Sequence, residues 1–239
     1  MKNIFKVHLL TYIVALICIL IGYFKFYLCF MLVLLIHEIG HILFAFIFKW
    51  HIKKIILLPF GLLLKFEDNL NKPLIEEFII SIMGIIFQLI FICFFYSKEI
   101  ILSSNIILIF NLLPIYPLDG SKILNIIINK ITNYKTSYFL TLILSYITII
   151  IVLSLEIINK RLIFIIALIP LLFNLIDLII DRKQVFFKFL LERYLYDFKF
   201  KKIKTITNIN QMKRDYYHFI NNIDEKKYLD KYFNSCNEK

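Results

Sequence analysis

Residues Phe26–Phe48 read FYLCFMLVLLIHEIGHILFAFIF, and this stretch decides the fold. About 17–25 predominantly apolar residues cross a bilayer as a helix, and the run has that length. At its centre lies His37-Glu38-Ile39-Gly40-His41, an H-E-x-x-H pattern. Ionisable groups at the middle of a membrane helix cost about 2.5–3.5 kcal/mol each by insertion scales, so three within five residues demand compensation. Two histidines four apart share a helix face, and both rings can offer a nitrogen to one metal about 2.0–2.1 Å away. Glu38 sits about 100° around the helix from His37, close enough to hold an activated water without being a ligand. The bland alternative is a cluster of satisfied core polar residues or a proton relay.

The rest of the chain is built like this stretch. Of 239 residues, 60% are hydrophobic and 17% aromatic, against roughly 45–50% apolar in an ordinary soluble domain. Long apolar runs at Val7–Gly22, Phe26–Phe48, Phe78–Tyr96, Ile100–Leu113, Tyr138–Leu155 and Leu162–Ile180 predict an all-α polytopic membrane protein of about six transmembrane helices over residues 1–181. The first run has no small-residue cleavage site, so it reads as a retained span rather than a leader. Basic residues concentrate in the segments that follow the even-numbered spans, which predicts both termini in the cytoplasm.

Residues 182–239 form a short basic tail, with 14 Lys/Arg against 7 Asp/Glu. For a tail tethered to a membrane, the expected partner is anionic lipid at about 1 kcal/mol per basic residue near the surface, with no nucleic acid. Phe186, Phe187, Phe189, Leu190 and Leu191 beside Gln184, Lys188 and Glu192 predict an interfacial helix. The four cysteines make no C-x-x-C pair, so neither a disulfide framework nor a thiolate zinc site is indicated.

Between the second and third spans, apolar runs flank Pro59-Phe60-Gly61 and predict a small hairpin, Ile55 to Leu64, packed against protein. It is either a surface for strand addition by an unwound substrate or a packed loop. In the third span, Ser81, Gly84 and Gln88 share a face, the pattern of a helix interface; the other reading turns Gln88 toward a cavity. The fourth span runs into Asn111-Leu112-Leu113-Pro114-Ile115-Tyr116-Pro117-Leu118-Asp119-Gly120. Its prolines break the helix, and a break at membrane depth is tolerated where it is buried or lines a watery cavity. A water-activating zinc with two histidines needs a third protein ligand. Glu76, Glu77, Glu99, Glu156, Asp177 and Asp181 fall at predicted span ends, and Asp119 is the carboxylate placed at a break. Asn111 is positioned to donate a hydrogen bond to a substrate carbonyl.

Together, H-E-I-G-H in the second span and N-L-L-P-I-Y-P-L-D-G after the fourth resemble the two signatures of the site-2 protease family of intramembrane metalloproteases, over about residues 7–180. The resemblance implies one Zn2+ held by His37, His41 and Asp119, Glu38 as general base, and Asn111 at the substrate. Family members often carry Gly-Pro-x-x-Asn in the third span, where this chain has Gly84-Ile85-Ile86-Phe87-Gln88; by that match Gln88 helps position the substrate. The sporulation branch of the family implies a membrane-tethered sigma-factor precursor as substrate, inhibitory membrane partners, and a place in a bacterial mother-cell or forespore membrane. The nucleotide-sensing CBS pair of that branch has no room in residues 182–239. A non-enzymatic membrane protein, either a metal transporter or an inactive relative acting as a scaffold, is the rival reading.

Overall fold

A computed structural model describes residues 5–7, 9–58, 61–66, 70–158 and 163–237. The chain is predominantly helical, and among the described residues three helices are long and apolar enough to cross a membrane: α2 (Phe24–Ile47), α3 (Leu74–Phe94) and α6 (Tyr134–Ile158). Of the other expected spans, the first and fourth are shorter helices. Helix α1 (Leu9–Ile21) has 13 residues and α4 (Lys98–Leu112) has 15; at 1.5 Å per residue, α4 covers about 22 Å of a hydrocarbon core roughly 30 Å thick. Helix α7 (Ile163–Ile180) has 18 residues, about 27 Å by the same rise.

Two compact units make up the chain, one of residues 1–69 and 78–113, the other of residues 70–77 and 114–239. In the first, α2 buries its polar side and exposes its apolar one. His37 is fully buried while Phe46 on the same helix is 79% exposed, with Leu28, Ile39 and Leu43 also outward. A helix in water would invert this pattern; lipid accepts the apolar face, and protein must satisfy the polar one. Val33 and Leu34 of α2 pack on Ile107 of α4. Lys49, at φ 58°, turns the chain out of α2, and Trp50 packs with Ala45 and Ile80, its ring edge-on to Phe66 at 5.4 Å.

The hairpin is formed by β2 (Ile52–Leu58) and β3 (Gly61–Phe66), antiparallel with Ile55 opposite Leu64 and Ile56 opposite Leu63. Pro59 and Phe60 lie outside the described residues. A third strand, β1 (Phe5–Val7), pairs parallel to β2, so Val7 begins no helix as the sequence reading expected; its backbone serves the sheet. Thr11 of α1 donates its hydroxyl to the Leu57 carbonyl at 3.1 Å, which ties the first helix to the sheet.

In the second unit, α5 (Asp119–Ile131) follows the proline break and precedes α6, whose Tyr138 and Leu142 pack on Leu175 of α7. The residues after 181 depart from the all-α expectation. Helix α8 (Arg182–Leu195) exists, but Phe189 and Leu190 are buried in a core with Tyr134, Met212, Ile220 and Leu229. Three strands follow in the order β4 (Lys202–Ile206), β5 (Tyr216–Ile220), β6 (Ile223–Asp224), with β4 parallel to β5, and α9 (Glu225–Asn237) closes the segment. The strands are short, and β4 buries only Ile206, so no clean period-2 pattern announced them.

This segment holds a buried ionic cluster. The Arg193 guanidinium donates to Glu225 Oε1 at 2.9 Å, with side-chain exposures of 1% and 4%. His218 Nε2 accepts from the Lys213 backbone N–H at 3.1 Å, so Nδ1 carries the ring proton and donates to Glu225 Oε2 at 3.0 Å. Burial lowers the His218 pKa below its ordinary value. For Glu225 burial pulls the other way, but the His218 hydrogen bond and the Arg193 charge outweigh it and hold the carboxyl below its usual range. Both groups bind protons more readily unfolded than folded, so stability drops as pH falls, first through His218 from about 6.5 and further through Glu225 below about 4.3. Hydrogen exchange over residues 202–220, corrected for intrinsic rates, should show protection decreasing between pH 7 and 5. Constant protection across that range would contradict a neutral, buried His218.

Candidate metal centre

His37 and His41 leave α2 one turn apart and meet at their outer nitrogens, with Nε2 to Nε2 at 3.1 Å and ring planes 79° apart. Which nitrogen carries each proton follows from the partners. His41 Nδ1 lies 2.7 Å from the Ile80 carbonyl, and a carbonyl only accepts, so that nitrogen is protonated. His37 Nδ1 lies 2.8 Å from Gln88 Oε1. In turn the Gln88 amide nitrogen donates to the Ser104 carbonyl at 2.8 Å and hydroxyl at 2.7 Å, so the amide oxygen is the end that faces His37. In the neutral form each imidazole therefore turns the lone pair of its Nε2 toward the other. Two facing lone pairs at 3.1 Å repel unless a cation lies between them. Two zinc–nitrogen bonds of 2.0–2.1 Å at a tetrahedral angle separate the nitrogens by about 3.3 Å, so the donor pair fits such an ion.

Two glycines create the space. A Cβ on Gly84 of α3 would lie 2.3 Å from His41 Nε2 and 2.9 Å from His37 Nε2. On Gly40 it would lie 2.4 Å from the Met83 carbonyl oxygen. The interface face read in the third span is thus the close approach of α3 to the histidine turn, and Ser81 and Gln88 share the burial. Gln88 is fully buried, and both ends of its amide are engaged by protein.

Glu38 is 7% exposed, one residue along α2 from His37. Asn111, at the end of α4, brings its side-chain nitrogen to 3.5 Å from His37 Nε2, so one unit assembles His37, His41, Gln88 and Asn111. Asp119 belongs to the second unit, where it is the first residue of α5 and is buried. A carboxylate there is favoured by the helix N-terminus, and Lys122 Nζ holds Oδ1 at 2.8 Å. Reasoning from sequence missed Ser104, the Ile80 carbonyl and Lys122. Only Lys122 left a signal, a cation one helical turn after a buried acid; the other two depend on which helices meet.

A model of peptidase family M50 matches residues 25–103 and 98–155. The chain belongs to peptidase family M50. It is 37% identical over 149 residues to Stage IV sporulation protein FB of Bacillus subtilis (strain 168), an alignment covering 57% of this chain and 51% of that protein. The chain thus spans about half the length of this curated relative. In fold it is similar to the Site-2 Protease from Methanocaldococcus jannaschii, with a TM-score of 0.57 and 22% identity, over 74% of this chain and 92% of that one. The site-2 protease resemblance carried by the two motifs therefore names the right family. M50 peptidases are zinc-dependent metallopeptidases embedded in membranes; with three apolar helices of spanning length, this M50 chain is an integral membrane protein.

Proposed function

We propose that this chain is an intramembrane zinc metalloprotease that cleaves a membrane-tethered protein in or near the bilayer. The observation that carries the reading is the buried pair of His37 and His41 Nε2 atoms meeting at 3.1 Å on the polar face of an otherwise lipid-directed helix. His37, His41 and Asp119 are the proposed ligands; Asp119 follows from its residue type, its place after the proline break and the zinc dependence of the family. Zinc held by these residues would supply Lewis-acid chemistry and make a water acidic enough to lose a proton near neutral pH. Glu38 receives the proton of the attacking water on its carboxylate and returns it to the departing amide nitrogen. Asn111 donates its side-chain N–H to the carbonyl of the bond being cut. A helical substrate must first open, and the outer edge of β3 offers main-chain partners to an extended segment. The expected orientation places both termini in the cytoplasm, by the distribution of basic residues.

A sigma-factor precursor in a mother-cell or forespore membrane is the substrate to try first, since the matched relative is a stage IV sporulation protein; inhibitory membrane partners are expected to regulate access. Anionic lipid is the proposed partner of the segment after α8. There Lys199, Lys201, Lys202 and Lys204 are exposed beside Leu195 (61%) and Ile203 (67%), the mixture of charge and apolar surface that binds headgroups.

The test is metal removal. Purified chain in proteoliposomes with a membrane-tethered substrate should lose cleavage when zinc is stripped by a chelator and regain it at one zinc per chain. Cleavage by protein shown to hold no metal would refute the proposal.

A further inference from the structure

We propose that Gln88 is a positioning residue for the metal centre: through its side-chain oxygen it sets the tautomer and ring angle of His37, and Ser104 in turn sets Gln88. This deepens the proposed zinc site and rests on it.

The inference follows from a one-way chain of donors and acceptors. The Ser104 carbonyl can only accept, and it takes one N–H of the Gln88 amide at 2.8 Å while the Ser104 hydroxyl takes the other at 2.7 Å. Both amide hydrogens are thereby committed, and Oε1 faces His37 Nδ1 at 2.8 Å. Gln88 and His37 are fully buried and Ser104 is 1% exposed, so these side chains satisfy one another rather than bulk water. Turning the amide over would set its oxygen 2.8 Å from the Ser104 carbonyl oxygen, two acceptors with no proton between them. The proton of neutral His37 is therefore held on Nδ1, and Nε2 is the nitrogen turned toward His41.

The two histidines differ in how they are anchored. His41 leans on a backbone carbonyl, that of Ile80, which no substitution removes. His37 leans on a side chain, so its half of the site is the half that mutation or evolution can tune. An amide with both ends engaged has no free group for a peptide, which separates this role from substrate positioning. Partners of this kind are typically worth 10–100-fold in metal affinity.

The experiment uses the full chain in detergent as wild type, Q88L and S104A, titrated with Co2+ by visible absorption and with zinc by chelator competition. Q88L should bind 10–100-fold more weakly with an altered Co2+ spectrum. S104A should lose less, because the Ser104 carbonyl still receives one N–H. At saturating zinc, Q88L should cleave a tethered substrate with KM unchanged. Equal metal affinities with a raised KM would overturn the proposal and return Gln88 to the substrate. As a check independent of variant folding, 15N spectra of histidine-labelled, metal-free wild type should show His37 protonated on Nδ1; an Nε2–H tautomer would refute the positioning role. If wild type takes up neither metal, the zinc reading itself falls, while the tautomer measurement still decides the Gln88 contact.

Discussion

Glu38→Gln should abolish cleavage while leaving zinc content and helical fold intact. The amide has nearly the same volume and stays on the buried side of α2, so packing changes little. What disappears is a carboxylate able to take up a proton at neutral pH, a contribution of at least about 10²–10⁴-fold. Rate and metal stoichiometry should be measured on the same preparation. Retained cleavage would move the base elsewhere, and joint loss of cleavage and zinc would make Glu38 a ligand rather than a base.

Gly84→Ala should remove the metal without removing the fold. The new methyl would occupy space 2.3 Å from His41 Nε2 and 2.5 Å from its Cε1, where the coordinating nitrogens must sit. The rings can retreat, but only by abandoning the Ile80 carbonyl and Gln88. We expect zinc affinity to fall at least 100-fold, because both ligand positions are displaced together. Gly40→Ala is the contrasting case: its methyl meets the Met83 backbone at 2.4 Å, which cannot swing aside, and overpacking of this kind costs about 1–3 kcal/mol. Zinc titration and thermal melting of the two variants should therefore separate, with Gly84→Ala failing first in metal and Gly40→Ala first in stability. Full zinc occupancy in Gly84→Ala would mean that α3 lies farther from the histidines.

The membrane character and the histidine turn could be read directly because both are local. A run of apolar residues has the same cost in water whatever surrounds it, and the separation of His37 from His41 is fixed by helical geometry alone. The hairpin after α2 was also legible, since turn residues between apolar runs have few other solutions. The length of the spans was less so. Hydropathy marks where lipid is tolerated, whereas α4 stops at Leu112 because of the prolines beyond it, and Phe5–Val7 joined a sheet whose other strands lie some fifty residues away. Residues 182–237 looked like an interfacial helix and a basic tail because their strands are short, two to five residues each. Their core comes from distant pieces, Tyr134 with Phe189 and Met212, and no window of sequence contains it.

By itself, the amino-acid sequence determined that this protein enters a membrane and carries paired histidines on one helical face with a glutamate beside them. Hydrophobicity and helical periodicity are properties of neighbours along the chain. Only the tertiary structure decided that the two histidine Nε2 atoms face each other, that two glycines admit α3 to the histidine turn, and that Gln88 turns its oxygen toward His37. Those facts depend on carbonyls and amides brought from other helices, and proton placement in a buried site is set by whichever partners arrive there.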